Sequence, residues 1–190
     1  MRSLAISSLL CSVLMLTHFA AGQSLPSKIR GYRVYDAAVT IVNANDLTVN
    51  SREPDAVVKL LDPRIVSIGV FGAVIRIGAE VTATKQSGRV DFMTFDDIRV
   101  NGIAIEVEEY ANPFKFREDE IATLPAPAII SIKTANLAIA AYKEIVESKR
   151  DWAVTGTVFV FGKFKKFGIS FKCVVPVKID LTIKNPLKKT

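Results

Sequence analysis

From Ile169 to Lys184 the chain alternates apolar and polar residues with a period of two. Ile169, Phe171, Cys173, Val175, Val177, Ile179, Leu181 and Ile183 share one parity, while Ser170, Lys172, Lys178, Asp180, Thr182 and Lys184 share the other. Only Val174 and Pro176 depart from polar on that second face. Successive side chains of a strand point to opposite faces, so this stretch predicts a long half-buried strand, or two strands bent at Pro176. Each apolar side chain that is fully buried contributes about 1.5–3 kcal/mol, enough for this stripe to fix the register of its neighbours. Cys173 falls on the apolar parity, which marks it as a small core residue rather than a reactive thiol.

Weaker copies of the pattern fill the rest of the chain. Ile75, Ile77, Ala79, Val81 and Ala83 alternate with Arg76, Gly78, Glu80, Thr82 and Thr84, and Ile103, Ile105 and Val107 alternate with Ala104, Glu106 and Glu108. Further strands are predicted over Tyr32–Val42, Ala56–Leu61, Val90–Phe95, Ile129–Ile132 and Trp152–Phe161. Asn101-Gly102 between two such runs predicts a tight hairpin turn, and the Lys-rich segment Gly162–Phe167 a second hairpin connection. Asn43–Asp55 reads as a surface loop with a short strand at Leu47–Val49. Thr134 can cap a helix from Ala135 to about Ser148, with Leu137, Ala138, Ala141 and Ile145 on one face. Roughly eight or nine strands with regular turns and one short α-helix make the expected fold mostly β, an antiparallel β-sandwich of the immunoglobulin or fibronectin kind.

The start of the chain belongs to a different physical class. Met1–Ser3 carries Arg2, Leu4–Phe19 is apolar but broken by serines, and Ala20, Ala21 and Gly22 are small. This is the three-part pattern of a secretory signal peptide over residues 1–22, with cleavage before Gln23. The apolar run is short and Ser-punctuated for an anchoring span. The expected address is therefore secreted or periplasmic. Residues 23–62 are then an N-terminal arm with extra strand, Gln23–Ile29 loose, and residues 63–190 the main sandwich.

Cleavage also changes the chemical inventory. The whole chain has 190 residues, 25 Lys and Arg, 19 Asp and Glu, one His and two Cys, for a net charge of +6. His18, Cys11 and Arg2 all lie in the leader, so the mature chain would hold no His, one Cys and a net charge of +5. A Ser-His-Asp triad, a Cys-His dyad, a His-ligated zinc site and an intramolecular disulfide are excluded from such a chain. Asp96 and Asp97 are adjacent and should point to opposite faces of a strand. Glu106 and Glu108 read as a solvent face, and Glu118, Asp119 and Glu120 as a solvated turn lacking the spacing of a calcium loop. No catalytic residue, metal site or cofactor is expected.

Charge is unevenly spread. Lys163–Thr190 holds eight Lys against Asp180, whereas Glu106–Glu120 holds six acidic residues against Lys115 and Arg117. Lys163, Lys165 and Lys166 interleave with Phe164 and Phe167, a combination that can meet an anionic surface. The preferred reading of these lysines is protection of strand edges and hairpin tips. Anionic lipid, polysaccharide or an envelope protein are the expected partners, and a secreted address argues against nucleic acid.

From Pro63 onward the order of features resembles the type-2 late embryogenesis abundant family, also called the water stress and hypersensitive response (WHy) domain. The resemblance rests on "RIVSIGVFGAVIRIGAEV" (64–81), the hairpin "IRVNGIAIEVEEY" (98–110), and the closing "WAVTGTVFVFG" (152–162) and "FKKFGISFKCVVPV" (164–177). Where the family has an Asn-Pro-Asn-like turn, this chain has Lys85, Gln86, Ser87 and Gly88. The resemblance implies a sandwich with one helix, no catalytic centre, and a role in desiccation, stress or envelope protection through surface binding. The segment "KIRGYRVYDAAVTIV" (28–42) lies outside that unit, and an extra edge strand there suggests an assembly module working by β-augmentation as the alternative.

Overall fold

The computed structural model describes residues 25–43, 54–136, 138–139, 149–166 and 168–184. The leader, its cleavage site, the strand expected at Leu47–Val49, most of the expected helix, and Phe167 lie outside these residues. Within them the chain is mostly β, in sandwich-like layers.

The alternating stripe becomes one sixteen-residue strand, β15 (Ile169–Lys184), unbroken at Pro176. It pairs along its length with β14 (Asp151–Lys166), and β14 pairs in turn with β8 (Ser87–Val100). Proline is tolerated because the partner on the outer side of β15 stops two residues earlier, at Val174, leaving no ladder there for its missing N–H to interrupt. Gly162 to Lys166 continue β14 instead of forming the expected hairpin connection, which shifts the turn to the neighbourhood of Gly168. The lysines and phenylalanines of that stretch alternate, and alternation is a strand signal. Gly162 fits because a Cβ there would stand 2.3 Å from the Arg89 carbonyl oxygen, at a register shift of the β14–β8 ladder.

Seven strands make the first layer: β1 (Lys28–Ile29), β2 (Tyr32–Val34), β15, β14, β8, β9 (Ile103–Ala104) and β11 (Phe114–Phe116). β9 follows β8 through Asn101 (φ 50°) and Gly102 (φ 77°), the positive-φ turn that the Asn-Gly pair predicts. Arg30 and Gly31 make the matching two-residue turn of the β1–β2 hairpin. Near Asp97 (φ 46°) and Gly156 (φ 147°) the β8–β14 ladder bulges, and this resets the parity so that Asp96 and Asp97 are both exposed instead of opposed.

The second layer is two four-stranded sheets that share continuous runs of chain. One is β3 (Val39–Asn43), β4 (Ala56–Leu60), β7 (Ala79–Ala83) and β12 (Ile121–Thr123). The other is β5 (Arg64–Gly69), β6 (Gly72–Ile77), β13 (Ala128–Lys133) and β10 (Glu106–Val107). β4 runs into β5 past Pro63, β6 into β7 past Gly78, and β12 into β13 past Pro125 and Pro127. These breaks align: Leu61 N–H donates to the Gly78 carbonyl at 2.9 Å and Leu124 N–H to the Ala79 carbonyl at 3.0 Å. The layer is thus one sheet creased along a line of glycine and prolines. That crease, the β5–β6 hairpin inside "RIVSIGVFGAVIRIGAEV", and the division of Tyr32–Val42 between two sheets explain why fifteen strands appear among the described residues where eight or nine are expected.

The sandwich is antiparallel except at the N-terminal segment, which joins each layer in parallel, β2 on β15 and β3 on β4. Residues 28–42 therefore supply a hairpin to one layer and an edge strand to the other. Helix begins at Thr134, whose hydroxyl donates across to the Val70 carbonyl at 2.6 Å.

Val90, Met93, Phe164, Cys173, Val175 and Val177 from the first layer pack with Ala56, Ala83 and Ala128 from the second. Val174, off the stripe's parity, is buried on the outer face with Tyr32 and Phe161. There Phe92 stacks on Phe161 at 4.4 Å, and Tyr32 meets Phe161 edge-on at 5.2 Å. Ile169 and Phe171 keep the inward parity but lie beyond the last β2 pairing and are exposed.

Two outcomes follow from this packing. Gly72 (φ 128°) would place a Cβ 1.9 Å from the Ile132 carbonyl oxygen, whereas Gly102 (φ 77°) faces open space. Both changes to alanine carry the positive-φ cost of about 1–2 kcal/mol, but Gly72→Ala should lower the urea midpoint well beyond Gly102→Ala; equal losses would contradict the close approach. The second outcome concerns alkaline pH. Burial pushes the pKa values of the Cys173 thiol and the Tyr110 and Tyr32 phenols above their ordinary values, with the Asp91 carboxylate adding to the effect at Tyr32. In the unfolded chain these groups ionise at about 8.5 and 10, so stability is full below that range and falls as pH rises through it. Urea midpoints should decline above about pH 9, less steeply in Tyr32→Phe, and a flat profile would refute the assignment.

Candidate functional site

The crease has a consequence for packing. Small side chains stand on the inner face of this layer, Ala79 and Ala128 beside the crease and Ala56 and Ala73 farther from it, while the facing β14 and β15 present mostly valine, isoleucine and leucine. The layers do not close on each other, and a cavity of about 830 Å³ remains between them. Its wall is drawn from both layers: Ile75, Ile77 and Ile130 on one side, Phe95, Val158, Val177 and Leu181 on the other. Among the described residues, the polar side chains on that wall are Gln86, Asn101, Lys149 and the indole N–H of Trp152. Asn101 is already engaged, accepting from the Ala153 N–H at 3.0 Å.

Two magnitudes bear on what such a space can hold. At about 24 cal/mol per Å³, a closed and empty cavity of this size would cost roughly 20 kcal/mol. That exceeds the ~5–15 kcal/mol net stability of an ordinary domain. The figure is an upper bound, because the space is partly open. Water is a poor filling, since each buried water needs 2–4 polar partners and the wall supplies few. The volume lies within the roughly 300–1,000 Å³ typical of ligand pockets.

The opening can be located from exposure. Among the lining residues Pro63, Ile65, Ile68 and Lys149 are exposed, so the mouth runs along β5, the edge strand of its sheet. Trp152 is the polar anchor inside. Its Nε1 is buried and has no hydrogen-bond partner, a loss of about 1–3 kcal/mol that an acceptor on a ligand would recover.

The residues singled out from the sequence are elsewhere. Lys163 and Lys165 are exposed on the outer face of β14. Phe164 is buried, 6.0 Å from Phe116 in a tilted ring contact, so it supports the core rather than a surface. Phe167 and the side chain of Lys166 fall outside the described residues. Registration instead aligns Lys163 with partners that sequence distance conceals. Lys115 stands opposite Arg89, Arg89 opposite Lys163, and Lys163 opposite Lys172, four exposed cations in a row across four strands. One carboxylate answers them, Asp91, at 3.3 Å from Arg89. Lys172 also lies over the Tyr32 ring at 4.3 Å. Among the described residues no cluster of His, Cys, Asp and Glu is arranged to hold a metal ion. Glu106 pairs with Lys133, and Arg117 with Glu120 at 3.5 Å.

Like charges directly opposite in a sheet are destabilising by about 0.2–1 kcal/mol per pair. Lys163→Thr should therefore leave stability unchanged or raise it slightly, measured by thermal melting at low salt, and the gain should shrink in high salt; a clear loss would contradict a repulsive row.

No protein-family model matches the chain, and no curated protein is significantly similar to it in sequence. Some solved structures are partly similar to it at low identity. The crystal structure of a protein from Archaeoglobus fulgidus is 12% identical, with a TM-score of 0.37 over 66% of this chain and 96% of that one. A solution structure from Arabidopsis thaliana is 15% identical, with a TM-score of 0.46 over 67% of this chain and 80% of that one. The solution structure of a presumed late embryogenesis abundant (LEA) protein is 12% identical, with a TM-score of 0.35 over 70% and 73%.

Proposed function

We propose that this protein is a non-enzymatic binder of single-chain amphiphiles, which holds an acyl chain between its two layers. The observation that carries this is the 830 Å³ apolar cavity with its few polar groups, Lys149 and Trp152 among them. A long alkyl chain fills the isoleucine- and valine-lined space, and a carboxylate or ester head accepts from the orphaned Trp152 Nε1. The leader pattern and the late embryogenesis abundant resemblance support a secreted or periplasmic setting, in which holding or shielding lipid contributes to envelope protection under drying or other stress.

Cis-parinaric acid, a fluorescent fatty acid, should bind the purified protein saturably. At about a hundredfold excess over its dissociation constant, a fatty acid adds about 2.7 kcal/mol to stability, a melting rise of roughly 5–10 °C for a chain of this size. Val158→Trp, which fills the cavity from β14, should abolish the fluorescence while preserving the far-ultraviolet circular dichroism spectrum. Unchanged binding in that variant would refute the site.

A second reading rests on the row Lys115, Arg89, Lys163 and Lys172, which favours an anionic surface as a further partner of the opposite face. Lys163→Glu with Lys172→Glu should eliminate salt-sensitive retention on heparin, and retention equal to wild type would remove this reading.

A further inference from the structure

The two most exposed large apolar side chains among the described residues, and three more of the exposed ones, are gathered on one hairpin. Val70 and Phe71 form the β5–β6 turn and are 82% and 93% exposed, while Ile68, Ile65 and Val66 on β5 are 68%, 53% and 47% exposed. Scattered exposed apolar residues are ordinary, but a contiguous set on one element marks an interaction site. An edge strand of this composition is also an aggregation hazard that proteins normally blunt with charge. Here the charges stay away from the tip: from Arg64 to Ile77 the charged residues are Arg64 and Arg76, both cationic.

The tip is braced. Thr134 Oγ1 donates to the Val70 carbonyl at 2.6 Å, and the close approach of Gly72 to Ile132 fixes the turn against β13. The apolar turn is thus a preorganised wedge, convex where a groove would be needed to receive a helix or peptide. Arg64 and Arg76 stand directly opposite each other at its base, and among the described residues no ion pair involves either. Two cations in that position suit an anionic counterpart.

We infer that the β5–β6 hairpin inserts into the interface of an anionic lipid bilayer, with Val70 and Phe71 in the acyl boundary and Arg64 and Arg76 against lipid phosphates. Interfacial insertion of this kind reaches about 5–10 Å below the headgroups. Five strand steps put the arginines about 17 Å from the turn, so the hairpin lies tilted, which also brings Ile65, Val66 and Ile68 to the lipid. β5 is the strand that bears the cavity mouth, so insertion sets that mouth against the source of the chain. The inference extends the cavity reading but fails or holds separately from it.

The test introduces a reporter as Phe71→Trp in the full chain, against vesicles of equal parts phosphatidylcholine and phosphatidylglycerol. The leader is apolar, so the signal must come from residue 71 itself and not from sedimentation. Relative to wild type, with Trp152 alone, the variant should gain a blue-shifted emission component that doxyl-labelled lipids quench, and Arg64→Glu with Arg76→Glu in that background should lose most of the quenching. Emission from residue 71 that stays red and unquenched would overturn the inference. A blue shift that grows with protein concentration in the absence of vesicles would also overturn it, by assigning the hairpin to a second copy of the chain. Val70→Ser with Phe71→Ser should still bind monomeric cis-parinaric acid as wild type does; loss of both properties together would show that the hairpin serves only the cavity, and would also overturn the inference.

Discussion

The structure depends on a mismatch between its two layers. β8, β14 and β15 run fourteen to sixteen residues and form a continuous wall, while the layer opposite is creased where Pro63, Gly78, Pro125 and Pro127 interrupt it. A long twisted wall and a folded one cannot be brought into contact everywhere. The layers meet at the buried cluster of Ala83, Val90, Phe164 and Val175. They part around Ile75, Phe95 and Leu181. The cavity follows from the backbone punctuation, and the small alanines of the creased layer enlarge what larger side chains would fill.

Function follows from the same mismatch. A sandwich whose inner faces met fully would offer only its surface to partners. This one has an interior of ligand size, an opening along an edge strand, and an unsatisfied indole donor on the wall. Its outer face carries a separate feature, the cationic row from β11 to β15, made by register alone. The two lie on opposite sides of the first layer. They are chemically distinct, one suited to an acyl chain and the other to a polyanion.

Much of the fold was legible in the sequence because alternation is local. The parity of β15, the placement of Cys173 and the Asn101-Gly102 turn all follow from neighbouring residues. Val174 shows the limit of that reasoning, since its burial depends on Tyr32 and Phe161 arriving from distant segments. β5 was hidden because "RIVSIGVFGAVIRI" is apolar between its two arginines except at Ser67 and reads as one strand, although Gly69 and Gly72 bracket its turn. The basic site was half legible. Lysines 163 and 165 could be counted, but Lys115 and Arg89 join Lys163 only through cross-strand register. The cavity left no motif, because a void is a property of how layers meet. Glycine and proline at matching points of three successive strand pairs were the available signal.

The central claim is that the space between the layers holds one acyl chain. Native mass spectrometry of the protein titrated with palmitic acid tests it most directly. The account predicts saturation at one fatty acid per chain, with the bound form lost in Val158→Trp. Adducts that accumulate without saturating, or that persist equally in the filled variant, would contradict it.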